Sequence, residues 1–172
     1  MNRKKFLLNN AAIIPGLMML PKLMSAEQQQ TPEPYKLDLV KEFVVAGHGG
    51  KAGDLDKVKS MLQDYPNMIF TKYDWGNGDY EAAIEGAGHM GNKEIAEYLI
   101  VSGSRVTLFV LTMLGKTELV KPVLEQYPSL IFAKGPHGFT MLHHAKVAGK
   151  NGEELYAWLQ EKGLKDTWVK IK

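Results

Sequence analysis

Apolar residues recur at three- and four-residue spacing in four blocks of the chain, and a Gly stands just ahead of each block. After Gly53 come Val58 and Leu62; after Gly91, Ile95 and Leu99; after Gly115, Val120 and Leu124; after Gly149, Leu155, Trp158 and Leu159. This spacing puts the apolar side chains on one stripe of an α-helix, as in a helix packed along a single face. Asp54 and Thr117 stand where a side-chain oxygen could accept the unpaired amides of a first turn, so both are expected N-caps, and Asp56 adds negative charge at the same helix start. A second, shorter helical segment is expected upstream of each Gly, over residues 39–52, 82–90, 106–114 and 140–148. Four positions before the turn Gly stand Gly49, Ala87, Leu111 and Ala145, mostly small, as two closely packed antiparallel helices require.

The blocks are copies of one unit. Sliding the chain by 62 residues aligns Gly53, Val58, Lys59, Leu62, Tyr65, Pro66, Ile69 and Phe70 with Gly115, Val120, Lys121, Leu124, Tyr127, Pro128, Ile131 and Phe132, eight identities within 18 positions. A further copy starts at Gly91 and another at Gly149, so the turn glycines lie 38, 24 and 34 residues apart, with a mean of 32. Self-similarity at this period marks stacked helix pairs.

The run Gly138-Phe139-Thr140-Met141-Leu142-His143-His144-Ala145-Lys146-Val147-Ala148-Gly149 resembles the Gly-x-Thr-Pro-Leu-His-x-Ala-x-x-x-Gly pattern of the ankyrin repeat, with Met141 in place of Pro. Gly91, Glu94, Ile95, Leu99, Ile100, Gly103 and Val106 are similar to the other half of that pattern, and the two Tyr-Pro-x-x-Ile-Phe segments resemble a variant in which the second helix ends in a Pro turn. The resemblance extends over most of residues 39–164. It implies an all-α, ankyrin-like solenoid of about four helix-turn-helix units with short finger loops, in a repeat domain over residues 37–172. Two departures stand out. The first unit has Val44-Val45-Ala46-Gly47 where the family has its Thr-Pro-Leu-His, and the third runs through Gly103-Ser104-Arg105-Val106 straight into the next apolar helix, so one finger is missing.

The N-terminal stretch changes the picture of charge and location. Arg3, Lys4 and Lys5 precede an apolar run over residues 6–20 that ends in Ser25-Ala26, the three parts of a secretory signal. Asn9, Asn10, Pro15 and Gly16 interrupt a run already shorter than the roughly 20 apolar residues that span a bilayer, so a cleaved signal peptide over residues 1–26 is expected, without stable membrane insertion of the mature chain. Asn2-Arg3-Lys4-Lys5-Phe6-Leu7 also resembles a twin-arginine signal, with Lys4 in the place of the second Arg, and the export route stays open. Residues 27–36 are polar and Pro-punctuated, a flexible linker. The reading is of a periplasmic or secreted bacterial protein. The formal charge of +2 disappears with the leader: four basic and no acidic residues lie in it, leaving 17 basic against 19 acidic. With that surplus goes the case for nucleic acid. The absence of Cys excludes disulfides, so stability outside the cytoplasm comes from packing.

Candidate chemistry is sparse. Gly47-His48-Gly49-Gly50-Lys51-Ala52-Gly53 is no phosphate loop, because no apolar strand precedes it and no Ser or Thr follows the Lys. None of Ser60, Ser102, Ser104 or Ser129 sits in a nucleophile elbow, and no enzyme and no cofactor is expected. His48, His89, His137, His143 and His144 show no three- or four-residue pairing, and without Cys a metal site would need carboxylates from elsewhere in the chain. Gly86 and Gly88, inside an expected helix, permit either close helix approach or backbone contact with a ligand. By the resemblance, His143 hydrogen-bonds backbone between units, while His89 and His144 face the groove.

Two finger segments hold turn chemistry and aromatics: residues 71–80, with Gly76-Asn77-Gly78 between Tyr73, Trp75 and Tyr80, and residues 133–139. In ankyrin proteins such tips line the surface that binds partners. The implied function is therefore recognition of an unidentified partner protein by a monomer through Tyr73, Trp75, Asn77, Asp79, His89, Lys134, His137 and His144. Packing of Tyr73 and Trp75 on the next finger is the competing reading. Trp158 and Trp168 are expected in a closing cap. The alternative function is a periplasmic accessory module that holds a metal or small molecule on His89, His143 and His144.

Overall fold

The computed structural model describes residues 33–50 and 54–171. The expected signal peptide and most of the linker lie outside the described residues. The compact unit starts at Pro34, and Tyr35 already packs edge-on against Tyr65, with ring centroids 5.8 Å apart.

The domain is small and mostly helical, with eight α-helices among the described residues. They are α1 (Leu37–His48), α2 (Asp54–Asp64), α3 (Ala83–Met90), α4 (Lys93–Val101), α5 (Leu108–Met113), α6 (Thr117–Gln126), α7 (Met141–Val147) and α8 (Glu153–Glu161). Two short strands, β1 (Tyr73–Asp74) and β2 (Tyr80–Glu81), form an antiparallel hairpin between α2 and α3 in which Tyr73 faces Glu81 and Asp74 faces Tyr80. The odd-numbered helices make one row, α1 on α3, α3 on α5 and α5 on α7. Each packs against the even-numbered helix that comes after it in the chain, and behind the row α2 meets α4 and α6 meets α8.

Local chemistry explains the boundaries. Asn92 Oδ1 accepts the Ile95 amide at 3.1 Å to start α4, and Thr107 caps α5 through Val110. Thr117 is not the cap of α6: Lys116 holds that position without a side-chain bond, which leaves Thr117 as the first helical residue. The capping role of Asp54, the first residue of α2, lies outside the described residues. After α2 and again after α6 the chain turns at Tyr-Pro into a 3-10 segment, Pro66–Phe70 and Pro128–Phe132, with Pro at the first turn where its missing N–H is harmless.

The core lies between the two rows. Phe43, Val58, Met68, Ile84, Ile95, Leu99 and Met113 fill its first half, and Val120, Leu124, Met141, Leu142, Leu155 and Leu159 its second. Within the odd-numbered row, α1 crosses α3 at close range. A Cβ on Gly47 would lie 2.3 Å from the Ala83 carbonyl oxygen, so only Gly permits the approach.

The segment between α4 and α5 carries no hairpin. Next to it, α7 reaches past α5, the shortest of the helices, to touch α3. The finger before α7 can therefore meet the hairpin before α3. No helix among the described residues is long and apolar enough to cross a membrane.

Candidate metal centre

Four side chains from four separate segments converge at the ends of α1 and α3. His48 is the last residue of α1, Glu81 ends β2, His89 lies in the last turn of α3, and His137 sits in the finger before α7. Each offers one ligating atom, and these atoms all lie within 4.8 Å of one another.

Glu81 is the hub. It is fully buried, at 0% exposure, and three imidazole Nε2 atoms face its carboxylate: His89 at 2.8 Å from Oε1, and His137 and His48 at 3.2 and 3.3 Å from Oε2. The Trp75 indole N–H donates to Oε2 at 2.8 Å. Burial pushes the Glu81 carboxyl up, but the hydrogen bond from His89 and the positive fields of His48, His89 and His137 outweigh it and hold the group below its ordinary value.

The rings are aimed from behind. His48 Nδ1 lies 2.9 Å from the Val44 carbonyl oxygen, which only accepts, so Nδ1 carries a proton and Nε2 is the ring nitrogen left to take a metal. His137 Nδ1 donates to Asp79 Oδ2 at 2.8 Å in the same way, while Asp79 Oδ1 accepts the His137 backbone amide at 2.8 Å. That grip holds His137 at φ +59, a left-handed conformation uncommon for a side chain of this size. Asp79 is itself placed by the hairpin, whose Gly76-Asn77-Gly78 tip turns at positive φ and lets the Trp75 amide reach the Asp79 carbonyl at 2.9 Å. His89 is pinned by a stack on Phe139, with centroids 5.0 Å apart and planes 18° from parallel. Gly86 makes the space for His48: a Cβ there would lie 2.9 Å from Nδ1 of the ring.

Imidazole Nδ1–H bonded to a carbonyl or carboxylate, with Nε2 turned inward, is the outer-shell arrangement of metal-ligating histidines. Bonds of 2.0–2.2 Å to nitrogen and oxygen put neighbouring donors roughly 3.0–3.5 Å apart around an octahedral or tetrahedral ion. The His137 and His48 separations from Glu81, 3.2 and 3.3 Å, lie in this range, the His89 separation of 2.8 Å is just below it, and the four ligating atoms all lie within 4.8 Å of one another. Three imidazoles and one carboxylate suit first-row divalent ions from Mn²⁺ to Zn²⁺, whereas Ca²⁺ and Mg²⁺ favour all-oxygen sites.

Protein-family models and curated proteins contain no match to this chain.

The structure brings together five of the eight residues singled out for partner binding. His89 and His137 are donors, Asp79 orients His137, and Trp75 bonds Glu81 while Tyr73 packs edge-on against it at 4.9 Å. Asn77 stays at the exposed tip, and Lys134 reaches the Lys170 carbonyl at 3.3 Å from the surface. His144 does not face a groove. It is 1% exposed, bonds the Thr140 carbonyl through Nδ1 at 2.8 Å, and is pushed down to about 4 by burial, so it offers a partner nothing.

The alternative trio is corrected too. Only His89 of His89, His143 and His144 belongs to the centre. His143 donates Nε2–H to the His89 carbonyl at 2.7 Å, a backbone bond from α7 to α3 that passes over α5 instead of joining adjacent helix pairs as the resemblance implies. Glu81 was not among the residues singled out from the sequence, and His48 stood there in a glycine-rich run without an assigned role. The available signal was the buried-helix glycine at 86, which has no purpose until the ring opposite it is known.

Proposed function

We propose that this chain is an exported, ankyrin-like repeat protein whose fingers hold a first-row transition-metal ion on His48, Glu81, His89 and His137. The observation that carries this reading is the convergence of three oriented Nε2 atoms on one buried carboxylate. A carboxylate buried for stability alone needs a single cationic partner, and even then the pair often gains nothing over apolar packing. The ankyrin-like part rests on the helix-turn-helix repeat at a mean spacing of 32 residues and on the two rows of helices. Export rests on the leader.

In this reading the departure in the third unit is functional. Without a third finger, the fingers of the second and fourth units meet, and Asp79 of one grips His137 of the other across 58 residues of sequence. The ion would then tie the first, second and fourth units together. Its binding energy would add to folding, because the unfolded chain holds no preformed site.

Metal analysis of purified chain after incubation with Zn²⁺, Ni²⁺, Co²⁺ or Mn²⁺ and removal of excess tests the reading. One ion per chain is expected for at least one of these metals, and none for the His89→Ala/Glu81→Gln double variant. Equal metal content in the two proteins would refute it.

Capture of a partner protein is a second reading, favoured by aromatic surface at the hairpin tip: Trp75 is 36% and Tyr80 56% exposed, with Asn77 between them. It narrows the expected surface to the tip, since Asp79, His89 and His137 already have internal partners.

A further inference from the structure

The four donors are unequally covered. Side-chain exposure is 0% at Glu81 and 6% at His89, but 20% at His48 and 28% at His137. Behind His89 lies the ring of Phe139, which covers that side of the site. Solvent reaches it on the side of His48 and His137. The Trp75 indole stands edge-on to both rings on that side, with centroids 6.2 and 5.6 Å away.

Among the described residues, no further His or carboxylate joins the four to fill a larger coordination sphere. The nearest other carboxylates are engaged, Asp79 with Nδ1 and the amide of His137, and Glu85 with the Lys72 ammonium and the Ala82 amide, each at 2.9 Å for Glu85. His143 is bonded to the His89 carbonyl and His144 to the Thr140 carbonyl. The only metal-type grouping among the described residues is the set of four. Three imidazoles and one carboxylate leave a five- or six-coordinate ion one or two ligands short. Closed spheres mark structural sites and open ones reactive sites.

Resting on the proposal that the four residues hold a metal, we infer that the bound ion keeps an exchangeable coordination position between His48 and His137, beneath Trp75, and takes there a small oxygen- or nitrogen-donor ligand from solution. Water fills it at rest, and a carboxylate or another small anion displaces the water. The Lys41 ammonium, 5.7 Å from the Trp75 ring centroid and 5.6 Å from that of Tyr73, adds positive charge beside the entrance and favours an anion. A metal-bound water in such a position is a stronger acid than bulk water, which is the basis of metal-assisted hydrolysis and hydration.

The test uses the full chain loaded with Co²⁺ and azide as the probe anion. Visible d–d bands that are absent from the Glu81→Gln/His89→Ala chain establish the metal centre itself. Azide should then shift those bands saturably, with half-saturation in the millimolar range, and should lower the water-proton relaxation enhancement of the Cu²⁺-loaded chain. Bands that are present but unmoved by azide, together with no relaxation enhancement from Cu²⁺, would show four protein donors closing the sphere and overturn the inference while leaving the metal reading intact. Absence of site-dependent Co²⁺ bands would instead refute the metal reading, and this inference with it.

Discussion

Residues 53–70 and 115–132 match at eight of 18 positions, and where both copies are described they fold the same way. In each, an amphipathic helix ends at Tyr-Pro and runs into a 3-10 turn. Tyr65 and Tyr127 have nearly identical backbone angles, φ −136 and ψ 71 against φ −127 and ψ 74. Val58 and Val120 are both fully buried, and Phe70 and Phe132 both exposed. The segments downstream of the two copies differ. Residues 71–81 form a hairpin that supplies Glu81, Asp79 and Trp75, whereas residues 133–140 form a tight turn that supplies His137. The repeated sequence builds scaffold. The chemistry lies in the segments where the copies have diverged.

If that division is right, changes in the fingers should remove metal with little effect on helical content, and changes in the repeated helices should do the reverse. The largest effect is expected at Glu81. Glu81→Ala removes the one acidic donor and should weaken Zn²⁺ affinity at least about a thousandfold, roughly 4 kcal/mol. Competition with a chromophoric chelator measures this, and an affinity within tenfold of wild type would place the ion elsewhere. Leu124→Ala is the converse. The side chain is fully buried in the second half of the core, so the change should cost about 2–5 kcal/mol in urea denaturation while each folded molecule still binds one ion. Loss of metal binding from chains that remain folded would erase the distinction between scaffold and site.

Acid should separate two regions of buried titratable groups in the metal-free chain. His144 is pushed from 6.5 to about 4 by burial, so the unfolded chain takes up a proton that the folded chain refuses. Stability is therefore complete above about pH 6.5 and is lost as pH falls towards 4, by about 3 kcal/mol over the whole window. Glu81 acts lower. Its folded-state affinity for a proton is depressed below the ordinary 4.5, so its contribution is present above that pH and is lost as pH falls beneath it. Urea midpoints taken between pH 7 and pH 4 in the presence of chelator should fall steadily, and should flatten in His144→Gln. A slope that is the same in both proteins would mean that His144 is not the group responsible.

Asp79→Asn tests the grip between fingers. It leaves the shape of the side chain but weakens the partner of His137 Nδ1, and loss of an outer-shell acceptor typically lowers metal affinity ten- to a hundredfold. Calorimetric titration with Zn²⁺ reads this directly, and an unchanged affinity would show that His137 is aimed by its backbone alone.

Much of the scaffold was legible because its determinants are local. The three- and four-residue spacing of Val58 and Leu62, or of Ile95 and Leu99, is fixed by helix geometry, and the turn glycines mark the reversals. The site was not legible in the same way. Its donors lie on four elements, and their meeting depends on packing: Gly47 lets α1 close on α3, Gly86 admits the His48 ring, and the Asp79–His137 contact joins segments 58 residues apart. His143 and His144 show the same limit. The resemblance put His144 on the groove, yet adjacent helical residues point about 100° apart, and packing against α5 decided that His144 would be the buried one.

The smallest expected effect probes a contact farther from the ion. The C-terminal segment lies across the finger that holds His137: the Val169 amide bonds the Gly138 carbonyl at 2.9 Å, the Thr140 hydroxyl bonds the Asp166 carbonyl at 2.6 Å, and the Trp168 indole N–H bonds the carbonyl of His137 itself at 2.6 Å. Gly138 has no room for a side chain, since a Cβ would lie 2.1 Å from the Val169 carbonyl oxygen. Trp168 was expected in a closing cap; its bond makes it a brace for the loop that carries His137. Trp168→Phe keeps most of the ring and removes one exposed hydrogen bond, worth about 1 kcal/mol. Because Asp79, the Val169 amide and the Thr140 hydroxyl still hold the loop, Zn²⁺ affinity should fall no more than about fivefold, less than in Asp79→Asn, with the denaturation midpoint of the metal-free chain nearly unchanged. A larger loss than in Asp79→Asn would reverse the order of importance and make the C-terminal segment, not the hairpin, the element that positions His137.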